Sequence, residues 1–294
     1  MEHQLWKAIV ALLAPLDKTP RRTRCGFSDK DIVKIYYWAV IWNRPTSWAC
    51  QKQSWPPHLR KQSLPSASTM SRRLKTQSVL TMLDGLEKHV VAPSEASIFW
   101  MIDGKPLPIG GCSKDHEAGY GKAAGTKAKG YKLHALIRSD GAVAEWRVAP
   151  MNKDERVMAE LIFNAAPPEV CGYIVADSNY DSNKLHAVCD KRQNTQLVTR
   201  RRYGPGNGTG HRPQTPGRLR SIALTESPFS GLGQRLLQDR RAIEREYGNL
   251  TNWSAGLTGL PAWIRTERRV RVWVQAKLVL LGIKRKYLRR TYVA

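Results

Sequence analysis

Ile32, Ile35, Tyr36, Ala39 and Val40 recur three and four residues apart, which is the spacing of one apolar helix face, and Ser28 stands where an N-cap would open a helix from Asp29 to Trp42. Leu5 to Leu13 predicts a shorter apolar helix before it. Asn43-Arg44-Pro45 stops the second pattern, Thr46 to Gln53 predicts a further helix closed by Pro56 and Pro57, and Ser66 to Lys75 predicts another after Pro65. Trp38, Trp42, Trp48 and Trp55 read mostly as core by the same periodicity. After Ile98 the pattern changes. Ile98-Phe99-Trp100-Met101-Ile102 is a continuous apolar run suited to a buried strand, and it breaks into a turn at Asp103-Gly104. Tyr131 to Arg138 and Ala142 to Ala149 flank Ser139-Asp140-Gly141, whose Asp-Gly favours a hairpin. A helix from Asp154 to Ala165, a strand from Tyr173 to Ala176, a helix from Ser182 to Arg192 and a strand from Gln196 to Thr199 follow. Antiparallel strands, then parallel additions with helices between them, predict a mixed α/β sheet. The 294 residues are enough for two units, a helical one over 1–92 and the sheet over 93–294.

Three segments each place an acid where a metal-dependent phosphoryl-transfer site wants one. Asp103 ends the first apolar run, Asp177 ends Gly172-Tyr173-Ile174-Val175-Ala176, and Glu244 lies on the basic side of the helical stretch Arg240 to Tyr247. Taken singly, an Asp at a strand end is a turn former or helix cap, and a Glu among arginines is half of a surface ion pair. Two strand-end carboxylates and one on a helix can converge in an α/β domain and hold two divalent ions about 4 Å apart through oxygen ligands.

The order of the three acids and the segments around them carry a resemblance. Gly125-Thr126-Lys127-Ala128-Lys129-Gly130-Tyr131-Lys132-Leu133-His134-Ala135-Leu136-Ile137, then Asn152-Lys153-Asp154, then Val175-Ala176-Asp177-Ser178-Asn179-Tyr180-Asp181-Ser182 resemble the catalytic domain of bacterial insertion-sequence DDE transposases, over about residues 98 to 290. The resemblance implies a ribonuclease-H-like fold with the first Asp on the first strand, the second Asp after the fourth, and the Glu on a late helix. It assigns catalysis and metal binding to Asp103, Asp177 and Glu244. It implies two Mg²⁺ ions, with Mn²⁺ as a substitute, Asp103 bridging them and Glu244 completing one shell. One ion would activate water and the other stabilise the leaving 3′ oxygen, after which the freed 3′-OH attacks target DNA. The family motif around the Glu is Tyr, two residues, Arg, three residues, Glu, six residues, Lys. Here Arg240 precedes Glu244 as that motif requires, while Leu237 and Thr251 occupy the Tyr and Lys positions. On one continuous helix Arg240, Glu244, Tyr247 and Thr251 would share a face. Glu246 is the rival carboxylate and lies off that face.

Charge points independently to the partner. Forty-eight Lys and Arg against 24 Asp and Glu give a formal net charge of +24, which suits a polyanion. Arg200, Arg201, Arg202, Arg212, Arg218 and Arg220 fall in an acid-free stretch from Thr199 to Arg220, read as a basic loop at the active site that contacts DNA phosphates. Within it, Tyr203 to Pro216 is Gly- and Pro-rich and predicts a mobile loop, and the absence of Gly-Lys-Ser or Gly-Lys-Thr excludes a P-loop. In the helical unit, Arg72, Arg73 and Lys75 suit a helix-turn-helix-like DNA reader. The other reading of that unit is a helical cap that packs and helps dimerise, and Gln53 to Ser66 is long for a tight helix-turn-helix.

No apolar run is long enough to span a bilayer and no signal peptide is apparent, so a bacterial, nucleoid-associated cytoplasmic protein is expected. Cys25, Cys50, Cys112, Cys171 and Cys189 show no Cys-x-x-Cys pair, which indicates neither a disulfide framework nor a zinc cluster. His134 reads as a packing residue. Bringing two DNA ends together implies at least a homodimer during reaction. Two rival functions stay open, a nuclease of the same fold that does not join strands and a non-catalytic DNA-binding descendant of a transposase.

Overall fold

The structure is a computed structural model that describes residues 1–16, 26–61, 63–93, 97–110, 113–123, 125–192, 194–203, 213–227, 231–252 and 256–288. The chain divides into two compact units. Described residues within Met1–Val91, Asn249–Leu257 and Val272–Ala294 form one, and those within Ala92–Gly248 and Thr258–Arg271 form the other.

The first unit is helical. It holds α1 (Glu2–Leu12), α2 (Asp29–Ile41), α3 (Thr46–Ala49), α4 (Ala67–Arg73) and α5 (Gln77–Val91). Ser28 opens α2 with a capping box: its hydroxyl accepts from the Asp31 amide at 3.1 Å and its own amide donates back to the Asp31 carboxylate at 3.3 Å. Of the four tryptophans expected in the core, Trp38 and Trp55 are buried and stack at 4.6 Å, whereas Trp42 keeps 40% of its surface exposed. The helix expected from Thr46 to Gln53 closes as α3 at Ala49, followed by a single 3-10 turn at Lys52–Ser54. Val79, Met82, Leu83, Leu86 and Val90 form the buried stripe of α5.

The second unit is built on a six-stranded sheet. Its strands are β1 (Ser97–Pro108), β2 (Gly119–Ala123), β3 (Thr126–Ile137), β4 (Val143–Pro150), β5 (Val170–Val175) and β6 (Thr195–Val198). The order is β2-β3-β1-β5-β6, with β4 also paired to β3. β1 is antiparallel to β3 and parallel to β5, and β5 is parallel to β6. This is the ribonuclease-H-like order, a mixed α/β sheet. β2 lies between the first apolar run and the strand at Tyr131, an interval for which the sequence pattern predicts no strand. Gly141 takes a φ of 85° in the β3–β4 hairpin, a conformation glycine adopts without strain.

Side chains alternate across the strands, so each face has its own core. Trp100, Ile102, Leu136, Ile174 and Leu197 pack with Ile162 and Phe163 of α6 (Glu155–Ala165) and Leu185 of α7 (Asn183–Asp190). On the other face Val175 and Val198 meet Leu236 and Leu237 of α9 (Gly231–Asp239), with Leu224 of α8 (Pro216–Glu226) beside them. Each such side chain, fully buried, contributes about 1.5–3 kcal/mol. Leu237, at the motif's Tyr position, is thus a core residue. The two remaining helices, α10 (Ala242–Asn252) and α11 (Glu267–Ile283), each begin in this unit and end in the first.

Candidate active site

Strand register brings the first two acids together. The parallel pairing of β1 with β5 ends at Met101 opposite Val175, and Asp103 and Asp177 each stand two residues further on. Equal offsets on neighbouring parallel strands place both side chains on the same face at the same level. Asp103 does not end its strand, as the sequence suggested. β1 runs on to Pro108, and Asp103 sits within it opposite Ala135 of β3, because β3 continues the pairing after β5 has stopped.

Asp103 accepts from the Gly104 amide at 2.7 Å. Burial pushes its carboxyl up to about 6, and the charges of Asp177 and Glu155 push the same way against the Gly104 amide and Arg240. Asp177 caps a 3-10 turn at Ser178–Tyr180, accepting from the Asn179 amide at 2.8 Å. Its carboxyl is also raised, by burial first and by the Glu155 charge, against the Asn179 amide and Arg240.

The third acid is linked to the others through Arg240. The helix expected across Arg240 to Tyr247 is broken, and Arg240 lies in the turn between α9 and α10. From there its guanidinium reaches the Asp103 carboxylate at 3.4 Å with one nitrogen and the Glu244 carboxylate at 3.9 Å with the other. The Glu244 side chain is 69% exposed, whereas Glu246 is buried. Tyr247, one turn beyond Glu244, donates its hydroxyl to the Asp103 carbonyl at 2.6 Å. A cleft of about 480 Å³ near this turn, lined by Phe99, Arg241 and Arg245 among others, includes none of the three acids.

Oxygen donors and accumulated negative charge suit a hard divalent cation. Asp103 and Asp177 already resist ionising together, and one guanidinium neutralises them only in part. Among the described residues no three His, Cys, Asp or Glu side chains stand close enough to enclose an ion, so two donors are assembled and Glu244 hangs from Arg240. The oxygen donors of Asp103 and Asp177 are of the kind a hard divalent cation takes, with Glu244 the third such donor nearby on α10. His134 does not belong to this donor set: burial, with Lys132 adding to it, holds its imidazole down to about 3, and neither ring nitrogen has a partner among the described residues.

The basic residues divide by environment. Arg200 and Arg202 are exposed, while Arg201 donates to Glu226 at 2.7 Å. The Arg202 amide donates to Asp181 at 3.0 Å, and the Arg218 guanidinium grips the same carboxylate with two bonds of 2.8 Å. This fork, the strongest geometry for such a pair, fastens the segment after β6 to the turn that follows Asp177. Arg218 and Arg220 are on α8, and the Gly-rich stretch 204–212, with Arg212, lies outside the described residues, as do Cys25 and Cys112. In the first unit Arg72 and Lys75 are exposed, but Arg73 donates to Asp29 at 2.6 Å and to the Phe27 carbonyl at 2.9 Å. Glu155, next to the helix-capping Asp154 and without a motif of its own, is not singled out by the sequence, yet its charge bears on both Asp103 and Asp177.

A sheet of this order, with acids on neighbouring parallel strands and another at the head of a later helix, defines the DDE class of phosphoryl-transfer domains, which use divalent metals. The chain belongs to that family: the model of the transposase DDE domain matches residues 97–279. Among solved structures it shares its fold with a piggyBac transposase, seen by cryo-EM in a synaptic complex with hairpin DNA. The TM-score is 0.50 at 10% identity, over 97% of this chain and 72% of that one. No curated protein matches the chain. No helix among the described residues is long and apolar enough to cross a membrane.

Proposed function

We propose that this chain is the transposase of an insertion sequence, cutting DNA at the element's ends and joining the freed 3′-OH to target DNA. The observation that carries the reading is the equal offset of Asp103 and Asp177 beyond the Met101–Val175 pair. With Glu244 they are the residues to hold Mg²⁺, or Mn²⁺ in its place. Such ions, when bound, neutralise charge on the phosphoryl group and make a hydroxyl a competent nucleophile.

The protein's own part is positioning. Tyr247 fixes the Glu244 turn of α10 to the strand that carries Asp103. Arg240 holds Asp103 and Glu244 in the free protein, and once a cation satisfies them its planar fork is matched to a DNA phosphate. Arg200, Arg201 and Arg202 extend the basic surface beside the site. Residues 93–294 act as the catalytic domain and residues 1–92 as a DNA-binding domain using Arg72, Arg73 and Lys75, with two copies of the chain bringing two DNA ends together.

The test is a joining assay with DNA carrying the inverted repeats that flank the coding region, a supercoiled target and Mg²⁺. Joined product that disappears in EDTA supports the reading. Cleavage without joining makes the chain a nuclease, and end binding without cleavage makes it a non-catalytic DNA-binding protein.

A further inference from the structure

Beside Asp103 and Asp177 lies a charged pair that the three-acid arrangement does not use. Lys132 of β3 and Glu155, the first residue of α6, meet at 2.6 Å with only 14% and 22% of their side chains exposed. They lie against the backbone of Gly104, the residue after Asp103. A Cβ at Gly104 would fall 2.6 Å from Lys132 Cδ and 3.3 Å from Glu155 Oε1. A side chain there would push Lys132 aside, so the glycine leaves room for the ion pair against the residue that follows the first acid. Of the charges around Asp177, that of Glu155 acts on it most strongly, and Asp103 feels it too.

A second observation points to a ligand. Tyr180 is wholly buried, and its hydroxyl has no hydrogen-bond partner among the described residues. The charges of Asp103, Glu155 and Asp177 all bear on that hydroxyl. A buried donor of this kind calls for an acceptor beyond those the described residues offer.

We infer that Glu155 is a fourth carboxylate of the cation site, a positioning residue that acts with the Tyr180 hydroxyl on the hydration shell of the ion, with Lys132 as its counter-charge. Mg²⁺ gives up its water reluctantly, and partners one shell out from an ion set its affinity nearly as firmly as direct ligands do. Lys132, paired with Glu155 at 2.6 Å, offsets part of the charge that Glu155 adds beside Asp103 and Asp177. The inference rests on the proposed function, which supplies the cation site.

The test measures Mn²⁺ binding to the full chain without DNA, by electron paramagnetic resonance of the free ion, with thermal midpoints taken in EDTA. Glu155→Gln should weaken Mn²⁺ binding about tenfold, and Tyr180→Phe should weaken it severalfold, both with midpoints near wild type. Lys132→Met, which leaves the carboxylate and removes a competing cation, should bind Mn²⁺ at least as tightly as wild type. Equal weakening by Glu155→Gln and Lys132→Met would show an ion pair that only supports the fold and would overturn the inference. So would wild-type binding by Glu155→Gln while Asp103→Asn loses the ion. If Asp103→Asn and Asp177→Asn both keep Mn²⁺, the cation site itself is wrong and the inference falls with it. Should Glu155→Gln fail to fold, Glu155→Asp retracts the carboxylate by one methylene: a partial loss of affinity supports the role and no loss overturns it.

Discussion

Tyr247 and Asp103, 144 positions apart in the chain, are joined by a 2.6 Å hydrogen bond from the phenol to the main-chain carbonyl. The bond ties the helix that carries Glu244 to the strand that carries Asp103 without occupying either carboxylate. Tyr247→Phe should therefore lower the rate of strand joining by roughly tenfold, the loss expected when a reacting geometry loosens. End binding should stay at the wild-type level. Gel-shift and joining assays on one preparation separate the two, and an equal fall in binding would show that Tyr247 serves DNA affinity instead.

Asp103→Asn, Asp177→Asn and Glu244→Gln should each reduce cleavage and joining more than a hundredfold, because each removes a ligand's charge with little change of shape and a bound ion stabilises the transition state by several kcal/mol. Glu246→Gln, at a buried position away from Arg240, should cost far less. Wild-type joining by any of the first three would remove that residue from the site.

The raised carboxyl of Asp103 has a thermodynamic signature in metal-free protein. Its folded pKa, about 6, lies above the ordinary 3.8. The folded state therefore binds more protons between those values, and this group's contribution is fully present below pH 3.8 and lost as pH rises through 6. Asp103→Asn should stabilise the EDTA-treated protein at pH 7 by about 1–3 kcal/mol and have little effect at pH 3.5. Denaturant midpoints at the two pH values provide the check, and Mg²⁺ should restore the stability of wild type alone.

Lys277 gives the opposite slope in the helical unit. Burial pushes its amine down to about 7, although it donates to the Val40 carbonyl at 3.1 Å and lies 4.9 Å from the centre of the Trp273 ring. An unfolded lysine keeps its proton to about 10.4, so the folded state releases it first and stability rises between pH 7 and 10. The rise should be about 1–3 kcal/mol, held down by the Val40, Asn43 and Trp273 contacts that favour the charged amine. Lys277→Met should flatten it, as urea titrations at pH 7 and 10 can show.

Replacing the exposed Arg200 and Arg202 with Ala should weaken binding to all DNA sequences and reduce the slope of log affinity against log salt by up to about 2, near one per phosphate contact. Arg201→Ala should change the slope little, since Glu226 already holds that guanidinium. A loss of sequence preference at constant slope would mean these residues read base edges.

What could be read in sequence was mostly local. Ser28 as a cap, the Asp140-Gly141 turn and the helix after Asp154 follow from side chains within a few residues of each other. β2 escaped because Gly119-Tyr120-Gly121-Lys122-Ala123 has no apolar alternation, and only its pairing with β3 makes it a strand. Asp103 and Gly104 likewise read as a turn, while β3 holds them in β1. The break at Arg240 is equally tertiary, since apolar periodicity runs through it. The acids could be named one by one, but their equal offset from Met101 and Val175 is a matter of register between strands about 70 residues apart, which no local pattern encodes. Glu155 was hidden for the same reason: its chemistry comes from Lys132 and Gly104, both distant in the chain.

The interleaving of the two units also bears on biosynthesis. Ala92–Gly248 can gather its six strands while the ribosome is still making α11, but the helical unit waits for residues from 272 onward. Within it Gly282 lies so close to Val90 that an added Cβ would come within 2.7 Å of a valine methyl. Synthesis thus completes the sheet's strands before the last segment of the helical unit exists, although that unit opens the chain. A nascent chain stalled before α11 would carry a completed sheet and a helical unit still lacking its last segment.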